Sequence, residues 1–142
     1  PDMAIHKFVT CIRQGQAVPM FGDGNLARDY TFIDDIVRGL IAALAKPLPF
    51  EVFNLGNESC VTLLQLISEL ERICGESIRI ERLPLQPGDV GRTCADVSKA
   101  RAMLGYNPSI DIRDGLEAFV HWFDEQTERV SNRESVRRSS GI

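Results

Sequence analysis

Apolar residues recur at steps of three and four positions along five stretches, the spacing of one face of an α-helix. The pattern predicts helices over residues 2–13, 31–44, 62–74, 98–104 and 112–123. Short apolar or alternating runs predict strands over residues 17–21, 51–55 and 77–82, and residues 83–93 form a loop rich in proline and glycine. Because helices and short strands alternate, we expect an α/β fold whose sheet is at least partly parallel.

The central stretch, residues 22–37, is a glycine-bearing turn followed by a β-like run and a helix start. Thr31 is the expected N-cap of that helix, and Asp34 and Asp35 complement the positive end of its dipole. Ile33, Ile36, Val37, Leu40, Ile41 and Leu44 recur at steps of three and four and form one apolar face of this helix. This arrangement places Arg28 at a strand-to-helix connection, the edge at which open α/β sheets bind ligands.

The sequence also predicts both caps of the helix over residues 62–74. Thr62 and Gln65 have the spacing of a capping box, and Gly75 follows the last apolar position, where glycine ends helices. The unit as a whole has few strands, and these are too short for a large sheet. It therefore looks like half of a larger α/β architecture.

Composition and charge narrow the class of protein. The chain has 142 residues with 44% hydrophobic and 25% charged, which is typical of one globular domain. Residues 1–126 carry a net charge of −6, and residues 127–142 carry +2. The acidic body argues against nucleic-acid binding. We interpret residues 127–142, which are rich in arginine and serine, as a disordered tail.

Further features concern the environment of the protein. No apolar run approaches the ~18 residues of a transmembrane helix, and nothing at the start is typical of a signal peptide, so we expect no membrane association and a cytoplasmic location. Cysteines 11, 60, 74 and 94 lie far apart without the short spacings of a zinc site. The sequence therefore predicts no metal site and four reduced thiols.

Catalytic and cofactor motifs are weak. Gly22, Gly24 and Ala27 match the G-x-G-x-x-A pattern of a dinucleotide-binding turn, but the residues that follow favour extended structure. Since that motif needs a helix to begin inside it, we interpret the stretch as a turn. His6 and His121 have no hydroxyl or thiol partner at a recognisable spacing, and we expect structural roles for both. The chain alone is predicted to contain no catalytic and no cofactor-binding residues.

Two side chains remain as candidates for ligand binding. The guanidinium of Arg28 can hold a phosphate through two parallel hydrogen bonds, and the alternative is a solvated arginine paired with a nearby aspartate. Asp89 follows Pro87 and Gly88 in a stiff turn that could present its carboxylate to a sugar diol. The alternative for Asp89 is an ordinary surface turn.

Several motifs occur together in the order of one family. They are Pro-Asp-Met-Ala at residue 1, Phe-Gly-Asp-Gly at 21, Arg-Asp-Tyr-Thr-Phe-Ile-Asp-Asp-Ile at 28, Phe-Asn-Leu-Gly at 53, Gln-Pro-Gly-Asp-Val at 86, Ala-Asp at 95 and Leu-Gly-Tyr at 104. Residues 1–124 thereby resemble the C-terminal part of extended short-chain dehydrogenase/reductases that epimerise or dehydrate nucleotide sugars. The first and fifth motifs resemble UDP-glucuronate 4-epimerases in particular.

The resemblance implies a fold of mixed short strands and helices that lacks the family's N-terminal Rossmann core. It also implies a nucleotide-sugar binding domain over residues 1–126. In it, Met20 and Phe21 would lie against the uracil of a UDP-sugar, Arg28 would bind the diphosphate and Asp89 the ribose hydroxyls. Asp34, Asp35 and Asn54 would be structural. The parent enzyme would be a homodimer that uses NAD.

Departures from the family pattern leave alternatives open. UDP-galactose-type epimerases have an arginine at the position of Gln86 and a tyrosine at that of Thr93, so the glucuronate type fits better. Arg92 is not typical at its position. The family's glycine-rich cofactor turn and catalytic Tyr-x-x-x-Lys are not in this chain, which we therefore expect to be inactive without an N-terminal Rossmann half. A free-standing nucleotide-sugar binder and a fragment of a dTDP-hexose dehydratase are the alternatives.

Overall fold

The computed structural model describes residues 3–139. The elements in chain order are α1 (Ala4–Arg13), β1 (Val18–Phe21), β2 (Ala27–Asp29), α2 (Ile33–Leu44), β3 (Cys60–Thr62), α3 (Leu63–Cys74), β4 (Ile80–Leu83), α4 (Ser98–Leu104) and α5 (Ile112–Ser139). All five predicted helices are present, and the α/β class is confirmed. Asp2, at the predicted start of the first helix, lies outside the described residues.

The strands form two small sheets. β1 and β4 pair in parallel, with Val18 opposite Ile80 and Phe21 opposite Leu83. β2 and β3 pair antiparallel, with Ala27 opposite Thr62. The prediction of a partly parallel sheet is confirmed. β3, three residues long, had no recognisable sequence signal of its own.

The main core lies between α1, β1, α3 and α5. Its buried members are Phe8, Val9, Ile12, Val18, Met20, Val61, Leu66, Ile67, Leu70, Leu116 and Val120. A second, smaller cluster joins α4 to α2 and to the segment before β3. It consists of Val97, Ala100, Leu104 and Tyr106, against which Phe53, Leu55, Ala42 and Ala43 pack.

The predicted caps of α3 are confirmed, but that of α2 is wrong. The Thr62 hydroxyl accepts from the Gln65 N–H at 3.2 Å, the Gln65 side chain accepts from the Thr62 N–H at 2.8 Å, and Gly75 ends the helix with a φ of 72°. At α2, Phe32 occupies the N-cap position without a side-chain bond. Thr31 instead donates its hydroxyl to the Asp29 carboxylate at 3.2 Å, because Asp29 lies on the adjoining strand end.

The apolar face of α2 does not turn toward the core, although Ile36 is half-buried. Ile33, Val37, Leu40, Ile41 and Leu44 are all exposed, and the buried residues of the helix are Asp35 and Gly39. A Cβ at Gly39 would lie 2.7 Å from Leu55 Cδ2 and 3.0 Å from Tyr106 Cδ2. The helix therefore packs through its side with the small residue, where its backbone can approach the second cluster.

The strand predicted over residues 51–55 is also wrong for this structure. The segment forms neither a helix nor a strand and pairs with no strand among residues 3–139. Its side chains nevertheless alternate as in a strand, because Phe53 and Leu55 pack on the second cluster while Val52 is exposed. The side-chain pattern therefore matches the predicted strand, but no pairing strand is present among residues 3–139.

The expected disordered tail is the next correction. α5 continues to Ser139, so residues 127–139 are helical, and residues 140–142 lie outside the described residues. Arg129 lies 3.7 Å from Glu125, an (i, i+4) ion pair on an exposed stretch of α5. Such pairs, together with good helix-forming residues, support a helix without an apolar face. Between residues 3 and 139, no helix combines the length and apolar character that a bilayer span requires.

The prediction of four reduced thiols is wrong for two cysteines. Cys60 and Cys94 form a disulfide with a Cα–Cα distance of 5.8 Å, while Cys11 and Cys74 are free and half-buried. The pair forms because Cys60 lies opposite Asp29 in the β2–β3 ladder, and Cys94 follows the segment that bridges to Ala27. Sequence spacing could not show this approach, since the two cysteines are 34 positions apart.

Candidate functional site

Arg28 occupies the middle of β2 and is held by carbonyl groups on its own strand and on the loop before Thr93. Its Nη1 donates to Ala27 O at 2.9 Å and to Val90 O at 2.7 Å. The guanidinium carries five N–H donors. These two bonds fix the orientation of the guanidinium and leave the N–H groups of Nη2 and Nε available to a ligand.

The loop that carries Asp89 is attached to β2 by backbone hydrogen bonds. Ala27 N–H donates to Gly91 O at 2.9 Å, and Thr93 N–H donates to Ala27 O at 3.1 Å. Within the loop, Asp89 N–H donates to Gln86 O at 3.1 Å. Gly88 has a φ of 88°, so residues 86–89 have the glycine placement of a type II turn. The turn presents Asp89 toward β2.

These attachments bring two predicted site residues together. Arg28 Nη2 lies 3.8 Å from Asp89 Oδ1, and the two side chains are 31% and 28% exposed. That distance is too long for a hydrogen bond. Among residues 3–139 no hydrogen bond to the Asp89 carboxylate is present. The guanidinium of Arg28 is thus fixed in orientation and keeps N–H donors available to a ligand. The half-exposed carboxylate of Asp89 lies beside it with its acceptor oxygens also available.

Met20 and Phe21, the other two predicted site residues, are placed at the end of β1. Met20 is fully buried in the main core, so its side chain is not available to a ligand, whereas Phe21 is half-buried. β1 pairs only with β4 within the described structure, and Gly22 N–H donates to Leu83 O at 2.9 Å. Since successive backbone groups alternate in direction, those of Phe21 point to the open edge of β1. Contact with a base through Phe21 stays a prediction.

Asp29, next to the candidate arginine, was missed by the sequence reasoning. Its carboxylate accepts from the backbone N–H groups of Asn57 at 2.9 Å, Glu58 at 3.1 Å and Ala95 at 3.0 Å. Successive strand residues point to opposite faces, so Arg28 can face a ligand while Asp29 fastens the loops behind it. The only available signal was an aspartate inside a β-like run, where this residue type is unfavourable.

The glycine turn does not fit a dinucleotide cofactor. Gly22 and Gly24 have φ values of 69° and 85°, and the segment joins β1 to β2 instead of opening a helix. A Cβ at Gly24 would lie 2.6 Å from Leu64 Cγ, so this glycine is needed for packing on α3. The helix N-terminus that binds a pyrophosphate in such motifs is therefore missing from this turn.

Asp35, Asn54 and His6 make contacts within the protein that are typical of structural roles. The Asp35 carboxylate accepts from the N–H groups of Ser109 and Ile110, both at 3.1 Å, and it pairs with Arg38. Asn54 Nδ2 donates to a main-chain carbonyl at 3.3 Å. The ring of His6 packs against two phenylalanine rings of α5.

A cavity of about 270 Å³ lies between the start of α1, the β2–α2 connection and the start of α5, and its lining includes Asp29, which follows Arg28 in the sequence. Tyr30 lines it, and burial raises the pKa of this phenol above its ordinary value, an effect that the charge of Arg28 reduces. The lining is mainly apolar and contains none of the four predicted site residues. In the part of the chain that the structure describes, no group of three or more His, Cys, Asp or Glu side chains is arranged to hold a metal.

Comparison with known proteins decides the family. Residues 1–119 match the sequence model of the family described as GDP-mannose 4,6 dehydratase. The chain belongs to this family. Within it, the α/β arrangement described above is that of the C-terminal part of an extended short-chain dehydrogenase/reductase epimerase.

Several proteins with named activities are similar to the chain over most of its length. UDP-glucuronate 4-epimerase from Thermodesulfobacterium geofontis is 42% identical over 133 residues, which is 93% of this chain and 41% of the relative. The crystal structure of UDP-glucuronic acid 4-epimerase from Bacillus cereus, in complex with UDP-glucuronic acid and NAD, superposes with a TM-score of 0.84 at 38% identity, covering 89% of this chain and 41% of that one. UDP-glucose 4-epimerase from Thermotoga maritima, with UDP-glucose, gives a TM-score of 0.82 at 33% identity, covering 88% and 40%.

In each of these comparisons the match covers most of this chain but less than half of the other protein. This chain spans about 40% of the length of each of these three proteins. The activities in their names therefore belong to proteins more than twice as long as the matched segment.

Proposed function

We propose that the chain is the nucleotide-binding part of a UDP-sugar 4-epimerase, with UDP-glucuronate as the substrate of the whole enzyme. The observation that carries this proposal is the pairing of Arg28 with Asp89 on opposing segments, both half-exposed and both with free hydrogen-bonding capacity. An oriented guanidinium can bind a diphosphate through parallel charge-assisted bonds. The adjacent carboxylate can accept bonds from the two hydroxyls of a ribose, which a nucleoside diphosphate places next to its phosphates.

The roles of the two residues follow from their supports. Carbonyls of Ala27 and Val90 fix Arg28 before any ligand arrives, so less conformational entropy is lost on binding. The turn at residues 86–89 fixes Asp89 in the same way. Phe21, at the open edge of β1, would contact the base. The chain itself would bind and orient the substrate.

NAD is present in the B. cereus structure, whose chain is more than twice as long as the matched part. Because the Gly22–Ala27 turn does not fit a dinucleotide, we infer that the cofactor and the residues that catalyse hydride transfer belong to a part of the enzyme outside this chain. The chain alone would then bind UDP without epimerising a UDP-sugar.

The test is calorimetric titration of the chain with UDP. Replacing Arg28 with alanine should weaken binding by about 1.5–3 kcal/mol, or roughly 10- to 150-fold in Kd, the scale of a hydrogen bond to a charged group. Arg28→Lys should recover only part of the loss, because lysine keeps the charge without the planar pair of donors. Arg129→Ala, which removes an exposed arginine of α5, is the control and should leave Kd unchanged. Equal affinity of the wild type and Arg28→Ala would refute the assignment.

One finding favours a second candidate. The family description names a dehydratase that acts on GDP-mannose, so the base and the reaction both need testing. Competition among UDP, dTDP and GDP for the same site separates the hypotheses. A preference for UDP supports the epimerase proposal, and a preference for dTDP or GDP supports a dehydratase.

A further inference from the structure

The disulfide between Cys60 and Cys94 lies beside the candidate site. It joins β3 to the end of the loop that carries Asp89, and Cys60 lies opposite Asp29 in the β2–β3 ladder. The same loop supplies the Val90 carbonyl that accepts from Arg28. A single covalent bond therefore fastens the segment that both provides the candidate carboxylate and orients the candidate guanidinium.

The loop that ends at Cys94 has few other attachments. Each residue from 84 to 94 is exposed, and none of them belongs to either apolar cluster. Two backbone hydrogen bonds hold the loop to β2, from Ala27 N–H to Gly91 O at 2.9 Å and from Thr93 N–H to Ala27 O at 3.1 Å. Exposed segments with few buried contacts open locally at a low cost in free energy. A cross-link directly after these two bonds should therefore control how often they open.

The two bonded sulfurs differ in their accessibility. Cys94 is exposed, whereas Cys60 is half-buried. Access decides which sulfur of a disulfide an incoming thiolate attacks, and here it favours Cys94. The free cysteines, Cys11 and Cys74, are half-buried, and burial raises the pKa of the Cys74 thiol, which reduces its thiolate form. The bonded pair is thus the most open position for thiol chemistry among the four cysteines.

We propose that Cys60 and Cys94 form a site of reversible thiol–disulfide exchange, with a dithiol as its reductant, and that the state of this pair sets the order of the Asp89 loop. In the oxidised chain the loop is fastened to β3, and the nucleotide site is preorganised. In the reduced chain the loop opens more often, and UDP binds more weakly. The statement about UDP rests on the proposed function, whereas the statement about the loop does not.

The exchange proceeds in two balanced steps. A thiolate of the dithiol attacks Cys94 Sγ and forms a mixed disulfide, and Cys60 leaves as a thiolate that takes a proton from water. The second thiolate of the reductant then attacks its own sulfur in the mixed disulfide and releases Cys94, which is protonated in the same way. The cysteine pair gains two electrons, and the dithiol becomes a cyclic disulfide, which drives the reverse reaction when it is in excess. Cys60 Sγ lies 3.2 Å from Thr93 O, so the new thiol has an acceptor within reach.

The experiment compares the chain in reduced and in oxidised dithiothreitol. Alkylation in denaturant followed by intact mass measurement should count four thiols in the first case and two in the second. Amide hydrogen exchange of Ala27 and Thr93 should be at least roughly fivefold faster in the reduced chain, with that of Leu70 in the main core unchanged. Equal exchange of Ala27 and Thr93 in the two states would overturn the proposal. Reduction that occurs only together with loss of the circular dichroism of the folded chain would overturn it as well.

Matched variants assign the response to the bonded pair. The double variant Cys60→Ser with Cys94→Ser should show the fast exchange of Thr93 in either form of dithiothreitol. The control, Cys11→Ala with Cys74→Ala, removes the free thiols and should keep the response of the wild type. A response that persists in the serine variant, or that disappears in a folded alanine variant, would contradict the assignment. If the serine variant does not fold, the comparison of the two wild-type states still decides.

Calorimetric titration with UDP tests the consequence for binding. The reduced wild type should bind UDP roughly three- to tenfold more weakly than the oxidised wild type, the scale on which one preorganised side chain affects affinity. Equal affinity in the two states would overturn the link between the disulfide and the nucleotide site. Absence of UDP binding in both states, with faster exchange of Thr93 in the reduced chain, would refute the proposed function and leave the exchange site in place.

Discussion

Asp35 should contribute far more to stability than the adjacent Asp34, although both are acidic residues in the first turn of α2. Asp35 is fully buried, and its carboxylate accepts two backbone hydrogen bonds at 3.1 Å, from Ser109 and Ile110, besides pairing with Arg38. A hydrogen bond to a charged group contributes about 1.5–3 kcal/mol. Because the two donors are only partly buried and such bonds are not additive, we expect Asp35→Ala to cost about 2–4 kcal/mol.

The control for this prediction lies one position earlier. Asp34 is exposed and makes no side-chain hydrogen bond within residues 3–139, so Asp34→Ala should lose only its interaction with the helix dipole, about 0.3–1 kcal/mol. Asp35→Asn keeps the shape and one acceptor oxygen, and it should cost about 1–2 kcal/mol. The measurement is urea unfolding followed by circular dichroism, with the m-values compared. If Asp35→Ala and Asp34→Ala cost the same, the bonds to Ser109 and Ile110 are not what stabilises the contact between α2 and the segment before α5.

Three further predictions concern the loops and helix caps. Gly56→Ala would place a Cβ 2.7 Å from Asp29 Oδ2, and we expect this overpacking to cost about 1–3 kcal/mol in urea unfolding; an unchanged midpoint would contradict the close approach. Thr62→Ala removes the cap of α3 and should cost about 1 kcal/mol by the same method, whereas retained stability would show that the cap is dispensable. The hydroxyl and backbone N–H of Ser98 lower the pKa of Asp96, so Ser98→Ala should raise this pKa part of the way to its ordinary value in an NMR titration. Since the stabilisation by the ionised form is lost as pH falls through the lowered pKa, the variant should lose it at a higher pH; an unchanged pKa would rule out the hydroxyl as its cause.

The elements that could be predicted are those specified by local sequence. Periodicity located all five helices, and the spacing of Thr62 and Gln65 located a cap that the structure contains. The failures have a common cause, which is that partners lie far away in sequence. Residues 51–55 have the side-chain alternation of a strand but no pairing strand among residues 3–139, and α2 has an apolar stripe that turns away from the core.

In the candidate site, too, the residue types could be predicted from local sequence, whereas the contacts between distant residues could not. Arg28 and Asp89 could be chosen from the sequence by their chemistry and by the motifs around them. Their approach to 3.8 Å depends on backbone bonds between Ala27 and the loop of residues 91–93, which no sequence spacing reveals. Asp29 was missed for a related reason, because its three donors come from two distant loops.

The disulfide between Cys60 and Cys94 makes part of the chain a closed ring. The ring contains α3, β4 and the turn with Asp89, whereas Arg28 lies outside it. A protease that cuts the exposed loop at Arg92 therefore releases nothing, because both pieces stay joined through the two sulfurs. The cut protein keeps its full size on a gel until it is reduced. On such a gel, cleavage of the Asp89 loop by trypsin therefore becomes visible when reduced and unreduced samples are compared.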